Sequence, residues 1–206
     1  ISYNNSQERT DLGMSLHLAY SEDGSAYTAL NSNTGICFAK NSGSAKDNNK
    51  NVLNAPYIFP KKDGGYGMIA ANSSSASVYL FDSEDLVHFT NERTLKVSSG
   101  PVVQEPRCSY DEETDTYLIQ WKNGLTQYET VSADLKTCGE TREIPYVEEV
   151  VPAAGIPEGA VVSQILEVTP EEYQKVVDKL GPVTNTGIEE VKRTLQEGSS
   201  VDMAQL

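Results

Sequence analysis

The chain has 206 residues, 38% of them apolar and 22% charged, with 11 Tyr, 4 Phe and 1 Trp, a globular composition sized for one large domain or a medium domain with an appendage. Its formal charge of −14 and isoelectric point near 4.5 repel a polyphosphate backbone, and no run of Lys or Arg interleaved with aromatics offsets this, so nucleic acid is excluded as a partner. No stretch reaches the roughly 18 apolar residues of a membrane span, and no basic, apolar leader opens the sequence; because it starts on Ile1 rather than Met, that last absence carries no argument for the cytoplasm.

In chain order, residues 1–13 (ISYNNSQERTDLG) are polar and aperiodic and read as an N-terminal arm. Leu16 to Tyr20 and Ala26 to Leu30 read as two strands joined at Ser21-Glu22-Asp23-Gly24, where Gly supplies the positive φ of a tight turn. Residues 41–51 (NSGSAKDNNKN) read as a polar loop. Beyond it the sequence repeats. Pro56 to Phe59, a turn at Lys62 to Gly65, strands at Tyr66 to Ala70 and Ser77 to Phe81, and Ser83-Glu84-Asp85-Leu86 recur as Pro106 to Tyr110, a turn at Asp111 to Asp115, strands at Thr116 to Trp121 and Thr126 to Val131, and Ser132-Ala133-Asp134-Leu135. The offsets are 50 for the prolines, 51 for Tyr66 and Tyr117 and 49 for the two Ser-x-Asp-Leu turns, and Ser21-Glu22-Asp23 forms a third copy of the turn.

Units of 40–50 residues with several short strands and a turn signature are what a propeller blade looks like, because one four-stranded sheet cannot cover both its faces alone. The expected fold is therefore mostly β: a partial β-propeller of two or three four-stranded antiparallel blades over 14–145, with tandem hairpins in a β-sandwich as the alternative. Residues 146–160 read as a linker and 161–206 as a small C-terminal α/β tail. In that tail Val161 to Val168 is an expected strand, and Thr169-Pro170-Glu171-Glu172 is a capping box that starts a helix ending at Gly181-Pro182. A second short helix is expected near Ile188 to Leu195. Cys37, Cys108 and Cys138 lack the paired spacing of a metal site, and read either as three buried thiols or as one disulfide with a free thiol. No Gly-rich phosphate cradle, nucleophile elbow or HExxH pattern is present, and no metal or cofactor is expected.

The segments Leu16 to Asn31, Asn54 to Phe59 with Asp63 to Tyr66, Ser83 to Phe89, and Glu105 to Asp111 with Tyr117 to Trp121 together resemble the first blades of the family 43 glycoside hydrolases. The resemblance implies a propeller acting on arabinose- or xylose-containing polysaccharides with paired carboxyl groups, in an extracellular or cell-surface protein of bacterial type. It also locates two departures. The family's base is the Asp of an Arg-Asp-Pro motif, matched here by Asn54-Ala55-Pro56, and its Trp-Ala-Pro-Glu motif is matched by Gln104-Glu105-Pro106-Arg107. Glu105 is thus the remaining candidate for acid–base work, with Asn54, Ala55, Gln104, Arg107 and Trp121 as candidate carbohydrate contacts. Each has a plainer reading: Glu105 as a salt-bridged strand end, Arg107 as its neutraliser, Trp121 as core between blades. Five blades need more residues than the 145 or so that look blade-like, so further blades of the same polypeptide or a second copy are expected to cover the open sheet edges. Two functional readings follow: a carbohydrate-active protein related to arabinan- or xylan-directed hydrolases, or a non-catalytic module that binds glycan or packs on a catalytic neighbour.

Overall fold

The computed structural model describes residues 1–8, 10–40, 52–72, 75–145, 147 and 150–182. The expected polar loop at 41–51 and the second tail helix lie outside these residues. Three four-stranded antiparallel sheets account for most of the fold. Sheet I holds β1 (Ser2–Asn5), β2 (His17–Tyr20) and β3 (Thr28–Ala29), with a short α1 (Thr10–Gly13) between the first two. Sheet II is the meander β4 (Asn54–Pro60), β5 (Tyr66–Ala71), β6 (Ser77–Ser83) and β7 (Thr90–Lys96). Sheet III repeats it as β8 (Gln104–Asp111), β9 (Thr116–Asn123), β10 (Thr126–Ser132) and β11 (Arg142–Ile144).

Side-chain alternation stacks the sheets. On sheet II, Ile58, Met68, Ala70, Tyr79 and Phe81 point one way into a core shared with Leu16, Leu18, Leu30 and Cys37 of the first unit. Phe59, Ile69, Ala71, Val78, Leu80 and Leu95 point the other way and meet Cys108, Tyr117, Ile119 and Trp121 of sheet III. A strand buried on both faces loses the polar alternation of a half-exposed one, which is why Met68 to Ala71 reads as a continuous apolar run. Burial of each large aliphatic side chain here stabilises the stack by about 1.5–3 kcal/mol. Three sheets in series, each covering its neighbour, form the blade-type arrangement rather than a two-layer sandwich.

The repeated turns share one pattern of side-chain to backbone hydrogen bonds. Ser83 Oγ accepts the Leu86 N–H (3.0 Å), and Asp85 Oδ1 accepts the N–H groups of Val87 (2.9 Å) and His88 (2.8 Å). In sheet III Ser132 Oγ accepts the Leu135 N–H (2.9 Å), and Asp134 Oδ1 accepts those of Lys136 (2.9 Å) and Thr137 (3.2 Å). In sheet I Ser21 Oγ accepts the Gly24 N–H (2.9 Å) and Asp23 Oδ1 that of Ser25 (2.9 Å). The residue after the Asp is left-handed in all three: Gly24 (φ 75°), Leu86 (61°) and Leu135 (55°). Burial pushes the Asp85 carboxyl up, but the His88 and Val87 hydrogen bonds outweigh it and pull its pKa down to about 2.

Two expectations change. Residues 1–13 are not an arm: Ser2–Asn5 is a buried strand of sheet I, and Tyr3 is fully enclosed. The tail is not separate from the sheets either. Its strand, β12 (Ala160–Gln164), pairs antiparallel with β1 and becomes the edge of sheet I, so that sheet runs β12-β1-β2-β3. β1 is too short and polar to announce itself, whereas β12 overlaps the strand expected at Val161 to Val168, and the two satisfy each other's backbone across more than 150 residues of chain. The expected helix is present as α2 (Pro170–Leu180), with Thr169 and Glu172 in a reciprocal capping box and Pro170 at its start. It seats Val176 in the first core and touches Tyr20 through Tyr173, edge to face at 5.5 Å. Among the described residues the three cysteines are free thiols; burial pushes Cys37 up to about 12 and Cys138 to about 11, and raises Cys108 too, so all three stay protonated.

Candidate functional site

Three strands, β12, β4 and β8, lie side by side along the inner edge of the stack and run in the same direction. β12 and β4 are tied by Gln164, whose side-chain amide accepts the Ile58 N–H (2.7 Å) and donates to the Ile58 carbonyl (2.6 Å). β4 and β8 meet along their length, and at their far ends Lys62 reaches Asp115 (3.3 Å) while the Tyr117 hydroxyl accepts the Lys62 N–H (3.2 Å). Their entrances therefore share one end, and the residues there are Glu158 and Gly159, Asn54 and Ala55, and Gln104 and Glu105.

Each entrance is bent by one left-handed residue: Gly159 (φ 76°), Ala55 (49°) and Glu105 (46°). In sheets II and III the bend is a bulge at matching places, between the pairs Asn54–Ala71 and Tyr57–Ile69 and between Gln104–Lys122 and Arg107–Gln120. Left-handed backbone costs a residue with a Cβ about 1–2 kcal/mol, so something must hold Ala55 there. Asn4 does: its Oδ1 accepts the Ala55 N–H (2.9 Å) while its Nδ2 donates to the carbonyls of Ser15 (2.9 Å) and Leu53 (2.8 Å). At Gly159 a Cβ would stand 2.3 Å from Asn5 Oδ1, so glycine is required. Asn33 completes the rim on sheet I, accepting from the Tyr3 hydroxyl (2.8 Å) and donating to the Glu158 carbonyl (3.2 Å).

The structure brings some of the sequence-derived candidates together and separates others. Asn54 and Ala55 are half-buried at the entrance of β4, and Ala55 brings a methyl group to the position that the resemblance matches to the Asp of Arg-Asp-Pro. Glu105 is at the matching entrance of β8 with its side chain 53% exposed, ion-paired to Lys122 at 2.6 Å. Gln104 is used structurally, its Oε1 accepting the Gly124 N–H (3.0 Å) of the β9–β10 hairpin. Arg107 sits in register with Gln120 on the face of sheet III turned away from sheet II, not at the entrance. Trp121 is a correction: it is 1% exposed, stacked on Tyr128 at 5.9 Å within the core between sheets II and III, and offers no face to a sugar. Its amphipathic ring suits either role, so only the placement decides. Sequence reasoning missed Asn4, Asn33, Glu158 and Gln164, since each acts through a partner distant in sequence; the alternation of Ile1 and Tyr3 was the one hint of a strand there.

Farther along the inner strands lies a hollow of about 480 Å³, lined among others by Tyr57, Lys61, Tyr110, Glu112 and Gln164. A second, of about 640 Å³, lies between sheet I and α2, lined by Leu18, Tyr20, Leu166 and Tyr173. The entrance itself is a shallow polar rim. Among the described residues no group of three or more His, Cys, Asp or Glu side chains is arranged to hold a metal.

A family model described as a probable glycosyl hydrolase domain matches residues 2–144, which span all three sheets except β12. No curated protein and no solved structure matches. The match covers the repeats, the recurring turns and the entrances of β4 and β8, and the chain thus belongs to the glycosyl hydrolase-related family allied to family 43.

Proposed function

We propose that this chain is a non-catalytic carbohydrate-binding member of its family, engaging arabinose- or xylose-containing polysaccharide along the inner strands from the rim formed by Glu158, Asn54 and Glu105. The observation that supports it is the entrance of β4. Glycoside hydrolysis takes two carboxyl groups, roughly 6.5–9.5 Å apart for inversion, one as acid and one as base. Ala55 occupies the place of the family's base, and Glu105 is held by Lys122 at 2.6 Å. What is left at the rim are hydrogen-bonding groups, which suit sugar hydroxyls. Such polysaccharides lie outside bacterial cells, so the proposal includes an extracellular or cell-surface location.

Hydrolysis assays on arabinan and xylan test the reading. The chain should release no reducing ends above background, and Ala55→Asp should not change that. Turnover by the unmodified chain, or its appearance in Ala55→Asp, would establish a catalytic site with Glu105 as its second carboxyl group and end the non-catalytic reading.

A further inference from the structure

Nine residues other than glycine take left-handed backbone among the described residues, and three of them are consecutive: Asn31 (φ 49°), Ser32 (54°) and Asn33 (59°). They close one tight turn, in which the Asn33 N–H donates to the Leu30 carbonyl (3.0 Å) and the Thr34 N–H to that of Asn31 (3.0 Å). Left-handed backbone presses Cβ against the following carbonyl oxygen, so residues with a side chain enter it singly. Asn and Asp do so most readily, because their short polar chains bond locally. A run of three is therefore strained, and its middle residue is not of a tolerant type. Such strain persists only where the surroundings hold it, and it clusters at ligand contacts.

The two asparagines hold this turn. Asn31 Nδ2 donates to the carbonyls of Thr34 and Gly35, both at 3.3 Å. Asn33 accepts from the Tyr3 hydroxyl (2.8 Å) and donates to the Glu158 carbonyl (3.2 Å), which fastens the turn to the rim at the entrance of β12. Ser32 is carried between them, exposed, and its hydroxyl has no hydrogen-bond partner among the described residues. The other left-handed residues are engaged by the fold. Leu86 and Leu135 are buried, Asn91 bonds Asp82, and Glu105 and Asp115 pair with lysines. Ala55 is pinned through its N–H by Asn4. A glycine at position 32 would make the same turn without strain, so the fold does not ask for this hydroxyl.

We infer that Ser32 is a sugar-contacting residue of the rim, held by the turn Asn31–Asn33 next to the Asn33–Glu158 contact, where its hydroxyl exchanges a hydrogen bond with a hydroxyl of the bound pentose chain. The inference rests on the carbohydrate-binding reading above and adds to it a contact from sheet I. A serine hydroxyl both donates and accepts, as a sugar hydroxyl does, so the pair forms in either direction. A side chain fixed in place before binding also loses less freedom on contact.

The test is calorimetric titration of the full chain with xylohexaose and arabinohexaose, together with thermal unfolding, for the unmodified chain, Ser32→Ala and Ser32→Gly. Ser32→Ala keeps the strained Cβ and loses the hydroxyl, whereas Ser32→Gly loses both. Both variants should bind the sugar that the unmodified chain takes about 3–10-fold more weakly, the loss of one hydrogen bond. The melting temperature should stay within about 2 °C for Ser32→Ala and rise by about 1–4 °C for Ser32→Gly. Weaker binding by an equally or more stable chain is a pattern that a purely structural role does not produce. The inference is overturned if either variant binds as tightly as the unmodified chain. It is also overturned if Ser32→Ala fails to fold or melts more than about 4 °C lower, since the hydroxyl then serves the fold. An unmodified chain that gives no heat with either sugar removes the carbohydrate-binding reading and this inference with it, whereas binding that both variants retain removes the inference alone.

Discussion

Replacing Asn4 by Ala removes one side chain that serves three backbone groups at once. Asn4 is 6% exposed; it accepts from the Ala55 N–H at 2.9 Å and donates to the carbonyls of Ser15 and Leu53 at 2.9 and 2.8 Å. A typical internal hydrogen bond contributes about 1 kcal/mol net, but a buried group left without a partner costs about 1–3 kcal/mol. The Ala55 N–H is the critical one, because this residue is already in a strained left-handed conformation that Asn4 pins. With one orphaned donor and two weakened carbonyls the expected loss is about 3–5 kcal/mol, or roughly 6–20 °C in melting temperature at 2–4 °C per kcal/mol. Asn4→Asp keeps the acceptor but sets a carboxylate against two carbonyl oxygens, and is expected to be at least as destabilising. Urea unfolding followed by Trp fluorescence measures both. A loss below about 1 kcal/mol for Asn4→Ala would show that water replaces all three bonds, and the claim that Asn4 fixes the entrance of β4 would be refuted.

Ser83→Ala and Ser132→Ala each orphan one buried amide, that of Leu86 or Leu135, and should cost similar amounts, about 1–2 kcal/mol each; a large difference between them by urea unfolding would show that the repeated turns are not equivalent. Trp121, the single tryptophan, is 1% exposed, so acrylamide should barely quench its fluorescence and sugars should not shift its emission; ready quenching would place the ring outside the core. His17 is 1% exposed against Tyr3 (ring centroids 5.3 Å), and burial lowers its pKa, opposed in part by the Ser15 carbonyl and by Glu8. The unfolded chain therefore binds this proton more readily than the folded one. Its contribution is fully present above the unfolded pKa of about 6.5 and is lost as pH falls below it, with a slope of at most about 1.4 kcal/mol per pH unit. Stability measured between pH 7.5 and 5.5 should fall for the native chain, and His17→Gln should flatten that dependence; an unchanged slope would mean that another group controls it.

What the sequence discloses here depends on how local the physics is. The Ser-x-Asp turns, the Asp23-Gly24 hairpin and the Thr169-Glu172 cap are each settled within a few residues, and each is legible because the same side chain both names the motif and makes its hydrogen bonds. The alternation of Ile58 with Phe59 and of Ile69 with Ala70 says that sheet II is covered on both sides, and from there the serial stack follows. β1 was hidden because a four-residue polar strand finds its partner only across the whole chain, and the same distance hid the place of β12 at the edge of sheet I although a strand was expected there. Glu105 and Ala55 could be matched as the same place in successive repeats, since Pro106 and Pro56 mark it. That both bend into left-handed backbone, and that Lys122 pairs with Glu105, are consequences of cross-strand register that no local pattern carries. Trp121 could not be assigned from its own chemistry at all, since a strand-end Trp serves a core or a sugar face equally well.

Calorimetric titration of the unmodified chain with arabino- and xylo-oligosaccharides bears most directly on the central claim, because one trace separates binding from turnover. The account expects saturable heat that returns to baseline after each injection and is weakened by Glu105→Gln, whose side chain lies on the rim. Heat that continues after each injection would reveal hydrolysis, and no heat with any pentose glycan would contradict a carbohydrate-binding role for this stack of sheets.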